Sequence, residues 1–171
     1  MKKNALLFGA LLFVFPMLGQ VAKLQVGDPL GLTEIQTRQG TPYSLDDVKD
    51  KVIVMNFWMI GCKGCLLEQP YLNELAGKYR DREDIVFWSV TPNQWKDMSD
   101  YLRKHPITWE IKDGVDFSGI SGDKTFEIKC MPTTLVIDKQ RNIRYFKCDL
   151  LMSDEEGGND FMALLDSALA E

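Results

Sequence analysis

Cys62-Lys63-Gly64-Cys65 stands at the seam between two unlike hydrophobic patterns. Before it, Val52-Ile53-Val54-Met55-Asn56-Phe57-Trp58 is a near-continuous apolar run, the pattern of a strand covered on both faces. After it, Leu66, Leu72, Leu75 and Tyr79 recur at roughly helical spacing, with Pro70 expected to kink the helix. A chain with this order must place two thiols where a central strand hands over to a helix. There the first sulfur faces solvent and the second turns inward, within disulfide reach. A helix N-terminus favours negative charge, and the thiolate is the reacting form of cysteine, so the arrangement suits a redox site.

The remaining patterns supply a sheet around that strand. Ile85 to Val90 reads as a second buried strand, followed by a helix from Pro92 and Asn93 to about His105-Pro106. Thr108 to Ile111 suits a short strand. Thr133 to Ile137 and Ile143 to Lys147 form a hairpin around Asp138-Lys139-Gln140-Arg141-Asn142. Upstream, Leu32 to Thr37 and Tyr43 suggest a small hairpin turned at Arg38-Gln39-Gly40-Thr41, with Ser44 capping a short turn. A short helix is expected from Asp123 to Ile128, and an acidic loop from Ser153 to Gly158. Asp160 is expected to cap a last helix whose Phe161, Leu164, Leu165, Ala168 and Leu169 share one stripe. Parallel crossovers followed by an antiparallel hairpin give a mixed central sheet with helices on both faces.

At 171 residues the chain suits one domain, placed at 24–171, behind a separate N-terminal segment. Met1-Lys2-Lys3 is a positive n-region, and Ala5 to Leu18 is almost unbroken apolar sequence. Its length of about 14 residues is short of the roughly 20 of a spanning helix and suits a signal h-region. Residues 1–19 are therefore expected to be a signal peptide or, uncleaved, a membrane anchor, and the folded part is exported. The net charge of −5 and the absence of a basic stripe exclude nucleic acid as a natural partner. Export permits disulfides among the four cysteines, so the CxxC alone does not decide between reactivity and structure.

Several segments resemble the exported TlpA/ResA-type thiol–disulfide oxidoreductases of the thioredoxin superfamily. They are Asn56-Phe57-Trp58, Cys62 through Pro70, Trp88-Ser89-Val90, Tyr101-Leu102-Arg103-Lys104-His105 and Met131-Pro132-Thr133-Thr134-Leu135-Val136-Ile137-Asp138. The resemblance spans nearly the whole domain. It implies a thioredoxin-like three-layer α/β sandwich with an N-terminal hairpin extension, acting by dithiol/disulfide exchange without a cofactor or metal. It also implies a periplasmic or otherwise exported location, possible substrates among exported proteins including apocytochromes (cytochrome c biogenesis), and a membrane thiol reductase as electron donor.

Cys62 is the expected nucleophile, aided by the helix N-terminus and by Lys63, and Cys65 resolves the mixed disulfide. The resemblance implies that Pro132 follows a cis bond, leaving the Met131 backbone free to pair with an extended substrate. It implies that Glu68 handles protons for the thiols. Asn56 stands where classical thioredoxins keep an aspartate, and a solvated helix glutamate remains the alternative. Trp58 is either a shield over the disulfide and a substrate contact, or a core residue. Gly61 and Gly64 stand where an aromatic and a proline are frequent. Folding the hairpin about Gln140 brings Cys130 close to Cys148, as a structural disulfide, two free thiols or a second redox relay. Two other functions compete. A peroxiredoxin-like peroxidase would need Thr or Ser three residues before its cysteine, where Cys62 has Met59. A copper metallochaperone would use Cys62, Cys65 and a histidine, and His105 is the only histidine.

Overall fold

Every residue of Val52–Phe57 is buried in the computed structural model of the chain, which describes residues 25–117, 128, 130–151 and 157–171. The strands in chain order are β1 (Glu34–Ile35), β2 (Tyr43–Ser44), β3 (Val52–Phe57), β4 (Ile85–Val90), β5 (Glu110–Lys112), β6 (Thr133–Ile137) and β7 (Ile143–Lys147). The α-helices among the described residues are α1 (Lys63–Lys78), α2 (Trp95–Lys104) and α3 (Gly157–Ala170), and a 3-10 turn covers Asp46–Val48.

The main sheet has the order β5-β4-β3-β6-β7. β3 pairs in parallel with β4, and β4 with β5, whereas β6 runs antiparallel to both β3 and β7. The central position of β3 explains its continuous apolar sequence. Alternate side chains leave on opposite faces. Ile53, Met55 and Phe57 join a cluster with Leu30, Ile35, Leu45, Val115 and Leu135. Val52 and Val54 pack under Leu72 and Leu75 of α1 and Phe161 and Leu165 of α3. Truncating a buried aliphatic such as Ile53 to Ala would cost about 2–5 kcal/mol. The β6–β7 turn is held by the Asp138 carboxylate, which accepts the N–H groups of Gln140 (3.0 Å) and Asn142 (2.8 Å), while Arg141 takes φ 70°.

The mixed sheet and thioredoxin-like layering agree with expectation, and several boundaries move. The first hairpin pairs only Glu34↔Ser44 and Ile35↔Tyr43, and Thr37 bridges instead to Val115. α2 starts at Trp95 rather than Pro92, because Asn93 is engaged elsewhere: its Oδ1 accepts the Ile60 N–H at 2.9 Å. α3 begins at Gly157, which puts Asp160 in the first turn rather than at the cap. No helix among the described residues is long and apolar enough to cross a membrane. The expected N-terminal segment, most of the 123–128 helix and most of the acidic loop lie outside the described residues.

Candidate active site

The site forms where β3 ends and α1 begins. Strand pairing holds the chain up to Phe57, and the Trp58 N–H then donates to the Val90 carbonyl at 3.0 Å. The next residues turn sharply. Gly61 adopts φ +90°, a left-handed conformation that a side chain disfavours, so glycine there serves the turn into the helix. This is the physical reason for a glycine where an aromatic is frequent.

Cys62 is the N-cap of α1, with extended backbone angles, and its sulfur accepts the Cys65 N–H at 3.1 Å. One of the unpaired amides of the first turn is thus aimed at this sulfur. Cys62 is half-buried and Cys65 buried. The two are joined as a disulfide with Cα atoms 5.3 Å apart. The asymmetry gives an incoming reagent access to the first sulfur and shelters the second. Met59 and Leu67 flank the pair and stay exposed at 42% and 55%.

The Met131–Pro132 bond is cis. A methyl group added at Gly64 would lie 3.1 Å from Pro132 Cδ and 3.3 Å from Leu150 Cδ2. Gly64 therefore lets the first turn of α1 sit directly against the proline loop. Met131 packs on the cluster formed by Trp58, Cys65 and Met98.

Beneath the pair lie the buried polar groups. Residues 52, 54, 56 and 58 share one face by strand alternation, so Asn56 points toward α1. Its amide donates to Thr134 Oγ1 at 3.2 Å and, at a long 3.5 Å, to Glu68 Oε1. Glu68 is only 1% exposed. Loss of water around it pushes its pKa up to about 7, and the nearby polar groups of the Leu151 backbone and the Thr134 side chain offset this only in part. Trp58 is also buried, its indole N–H donating to Ser89 Oγ at 2.6 Å and its ring stacked on Tyr101 with centroids 5.4 Å apart.

Sequence reasoning missed the anchors of α1. Gln69 Nε2 donates to the carbonyls of His105 (2.8 Å) and Pro106 (3.0 Å), and Asn73 Nδ2 to that of Pro106 at 2.7 Å. Asn73 Oδ1 accepts from the Thr108 N–H and from the Trp109 indole. Two amides on one helix face were the only available signal. His105 itself closes α2, its ring beside that of Tyr101 at 5.0 Å. Among the described residues no three His, Cys, Asp or Glu side chains are grouped to hold a metal. Cys130 and Cys148 are exposed and face each other, with Cα atoms 5.8 Å apart.

This geometry can be set beside known proteins. The model of the AhpC/TSA family matches residues 26–146. The ResA thiol–disulfide oxidoreductase of Bacillus thuringiensis (strain Al Hakam) is 29% identical over 159 residues, covering 84% of this chain and 87% of that relative. A solved protein of Bacteroides vulgatus, assigned as a thiol–disulfide oxidoreductase, is 27% identical with a TM-score of 0.65, over 86% of this chain and 99% of the other. A protein of Chlorobium tepidum, assigned as the thiol:disulfide interchange protein DsbE, shares the fold at 21% identity and the same TM-score of 0.65, over 86% and 99%. The chain accordingly belongs to the AhpC/TSA family of thioredoxin-fold proteins, and its relatives include ResA thiol–disulfide oxidoreductases.

Proposed function

We propose that the protein is exported and reduces disulfides in other exported proteins, using Cys62 as nucleophile, Cys65 as resolving thiol and Glu68 as proton carrier. The observation that carries this is the unequal setting of the two sulfurs: Cys62 half-buried at the helix N-cap, Cys65 buried one turn on. In the dithiol form the Cys62 thiolate attacks one sulfur of a substrate disulfide. That S–S bond breaks, a mixed disulfide forms, and the departing substrate thiolate takes a proton. Cys65 loses its proton, with Glu68 as the acceptor, and attacks Cys62. The second substrate thiolate leaves and is protonated, and the Cys62–Cys65 disulfide remains. Two electrons have passed to the substrate.

Glu68 suits this role because a carboxyl titrating at about 7 exchanges protons readily near neutral pH. The Met131 backbone, next to Pro132 beside Gly64, is the edge against which an extended substrate would lie. Trp58 supports the pair from below. Residues 1–19 serve as signal peptide or anchor to the domain at 24–171, and a membrane thiol reductase recharges the disulfide. Apocytochromes awaiting haem are candidate substrates.

The test mixes the reduced protein with insulin, hydrogen peroxide or copper(I). Insulin reduction with dithiothreitol, lost in Cys62→Ser, supports the proposal. Fast peroxide consumption, or stoichiometric copper retention without insulin turnover, would replace it with the peroxidase or metallochaperone reading.

A further inference from the structure

The second cysteine pair sits at the outer ends of the two segments that grip the first turn of α1. One segment, Cys130-Met131-Pro132, leads into β6, and the other, Cys148-Asp149-Leu150-Leu151, leaves β7. The paired register of the two strands ends at Thr134↔Lys147, so the segments run beyond the ladder. Their inner parts touch the CxxC helix at several points. Pro132 and Leu150 both close on Gly64, Met131 packs on the cluster containing Cys65, and Leu151 is buried in the cluster with Leu72 and Leu75 of α1. The Thr133 hydroxyl donates to the Cys130 carbonyl at 2.7 Å, tying that cysteine to the entry of β6. A bond between Cys130 and Cys148 therefore closes a loop outside these contacts and holds both jaws against α1.

The Cα separation of 5.8 Å falls within the roughly 4.4–6.8 Å of bonded cysteines. Both cysteines are exposed, unlike those of a bridge sealed inside a core. Exposed disulfides are the readily exchanged ones. We propose that Cys130 and Cys148 form a second thiol–disulfide exchange site, a latch that holds the cover over the Cys62–Cys65 helix turn when oxidised and releases it when reduced by a protein dithiol. A thiolate of that dithiol attacks one sulfur of the pair, the Cys130–Cys148 bond breaks, and a mixed disulfide forms. The dithiol's second thiolate displaces it, forming the dithiol's own disulfide. Cys130 and Cys148 leave as two thiols, having gained two electrons and two protons. The latch rests on the exchange chemistry proposed for Cys62–Cys65 and adds a control on it.

The experiment follows all four cysteines of the oxidised full chain during reduction by limiting dithiothreitol, using differential alkylation and mass spectrometry. The expected result is that Cys130–Cys148 opens first. Reduction of Cys62–Cys65 then shows a lag that is absent from the Cys130→Ser/Cys148→Ser double variant, in which it proceeds at least threefold faster. If the second pair stays oxidised after Cys62–Cys65 is fully reduced, or if the double variant keeps the wild-type time course, the latch is wrong. The wild-type order of opening needs no variant, so a folding defect in the double variant leaves the test intact. Insulin turnover measured in parallel separates the two ideas: it reports on Cys62–Cys65 whether or not the latch exists.

Discussion

Cys62–Cys65 and Cys130–Cys148 have similar Cα separations, 5.3 and 5.8 Å, but the fold treats them differently. The first pair begins a helix, keeps one sulfur buried, and has an amide donated to the other. The second joins the segment before β6 to the end of β7, with both residues exposed and, among the described residues, no helix terminus at either. Reactivity of a thiol follows stabilisation of its thiolate, so position rather than pairing separates a nucleophile from an ordinary cysteine. The contrast is what the two proposals rest on: exchange with substrate at the first pair, and a latch over it at the second.

The sharpest way to break this comparison is to remove the nucleophile of the first pair and, separately, both cysteines of the second. Cys62→Ser is expected to lower insulin reduction at least a thousandfold, whereas the Cys130→Ser/Cys148→Ser variant alters it severalfold, through the rate of recharging. Equal losses would erase the distinction. Cys65→Ser should instead accumulate a substrate mixed disulfide on Cys62, visible by mass under non-reducing conditions.

Next in size is Glu68→Gln. General acid–base catalysis contributes about 10²–10⁴-fold, so a loss of about a hundredfold is expected. The wild-type rate should rise with pH through about 7, where Glu68 becomes a carboxylate able to accept the Cys65 proton, and the variant should lack that inflection. Stability moves the opposite way. Because the folded pKa is raised, the folded chain holds a proton that the unfolded chain has lost. The stabilising contribution is complete below about pH 4.5 and disappears as pH rises through about 7. Urea titrations should show about 3 kcal/mol of decline over that window, absent in Glu68→Gln. A flat wild-type profile would mean that Glu68 is not shielded from water as described.

Smaller effects probe the turn and the floor of the site. Gly61→Ala must place a side chain at φ +90°, a cost of about 1–2 kcal/mol in denaturant unfolding. Trp58→Phe removes the hydrogen bond to Ser89 and leaves the ring, so about 1 kcal/mol is expected, with insulin turnover changed little. A large loss of turnover in Trp58→Phe would give the indole a direct part in the chemistry.

The legible parts of the chain were those decided by local pattern. β3 showed as an apolar run because both its faces are covered, and β6–β7 showed through β-branched residues around an Asp-anchored turn. The two CxxC cysteines were legible because strand, motif and helix are consecutive in sequence. What stayed hidden depends on contacts between distant segments. Asn93 looked like a helix start and instead holds the Ile60 amide across 33 residues. Gly64 stood out only as a glycine where a proline is frequent and is a close approach to Pro132 and Leu150. Gln69 and Asn73 looked like ordinary polar helix residues and fasten α1 to the segment after α2. The burial of Glu68 could not be read from its spacing, because its cover comes from Thr134 and Leu151, more than 60 residues away.

The most direct measurement alkylates the fully reduced protein with limiting iodoacetamide at neutral pH and ranks the four cysteines by rate. Cys62 should react first, at least tenfold ahead of the more exposed Cys130 and Cys148, with Cys65 slowest. A ranking that follows exposure alone, with Cys130 and Cys148 ahead of Cys62, would contradict the claim that the start of α1 makes the nucleophile.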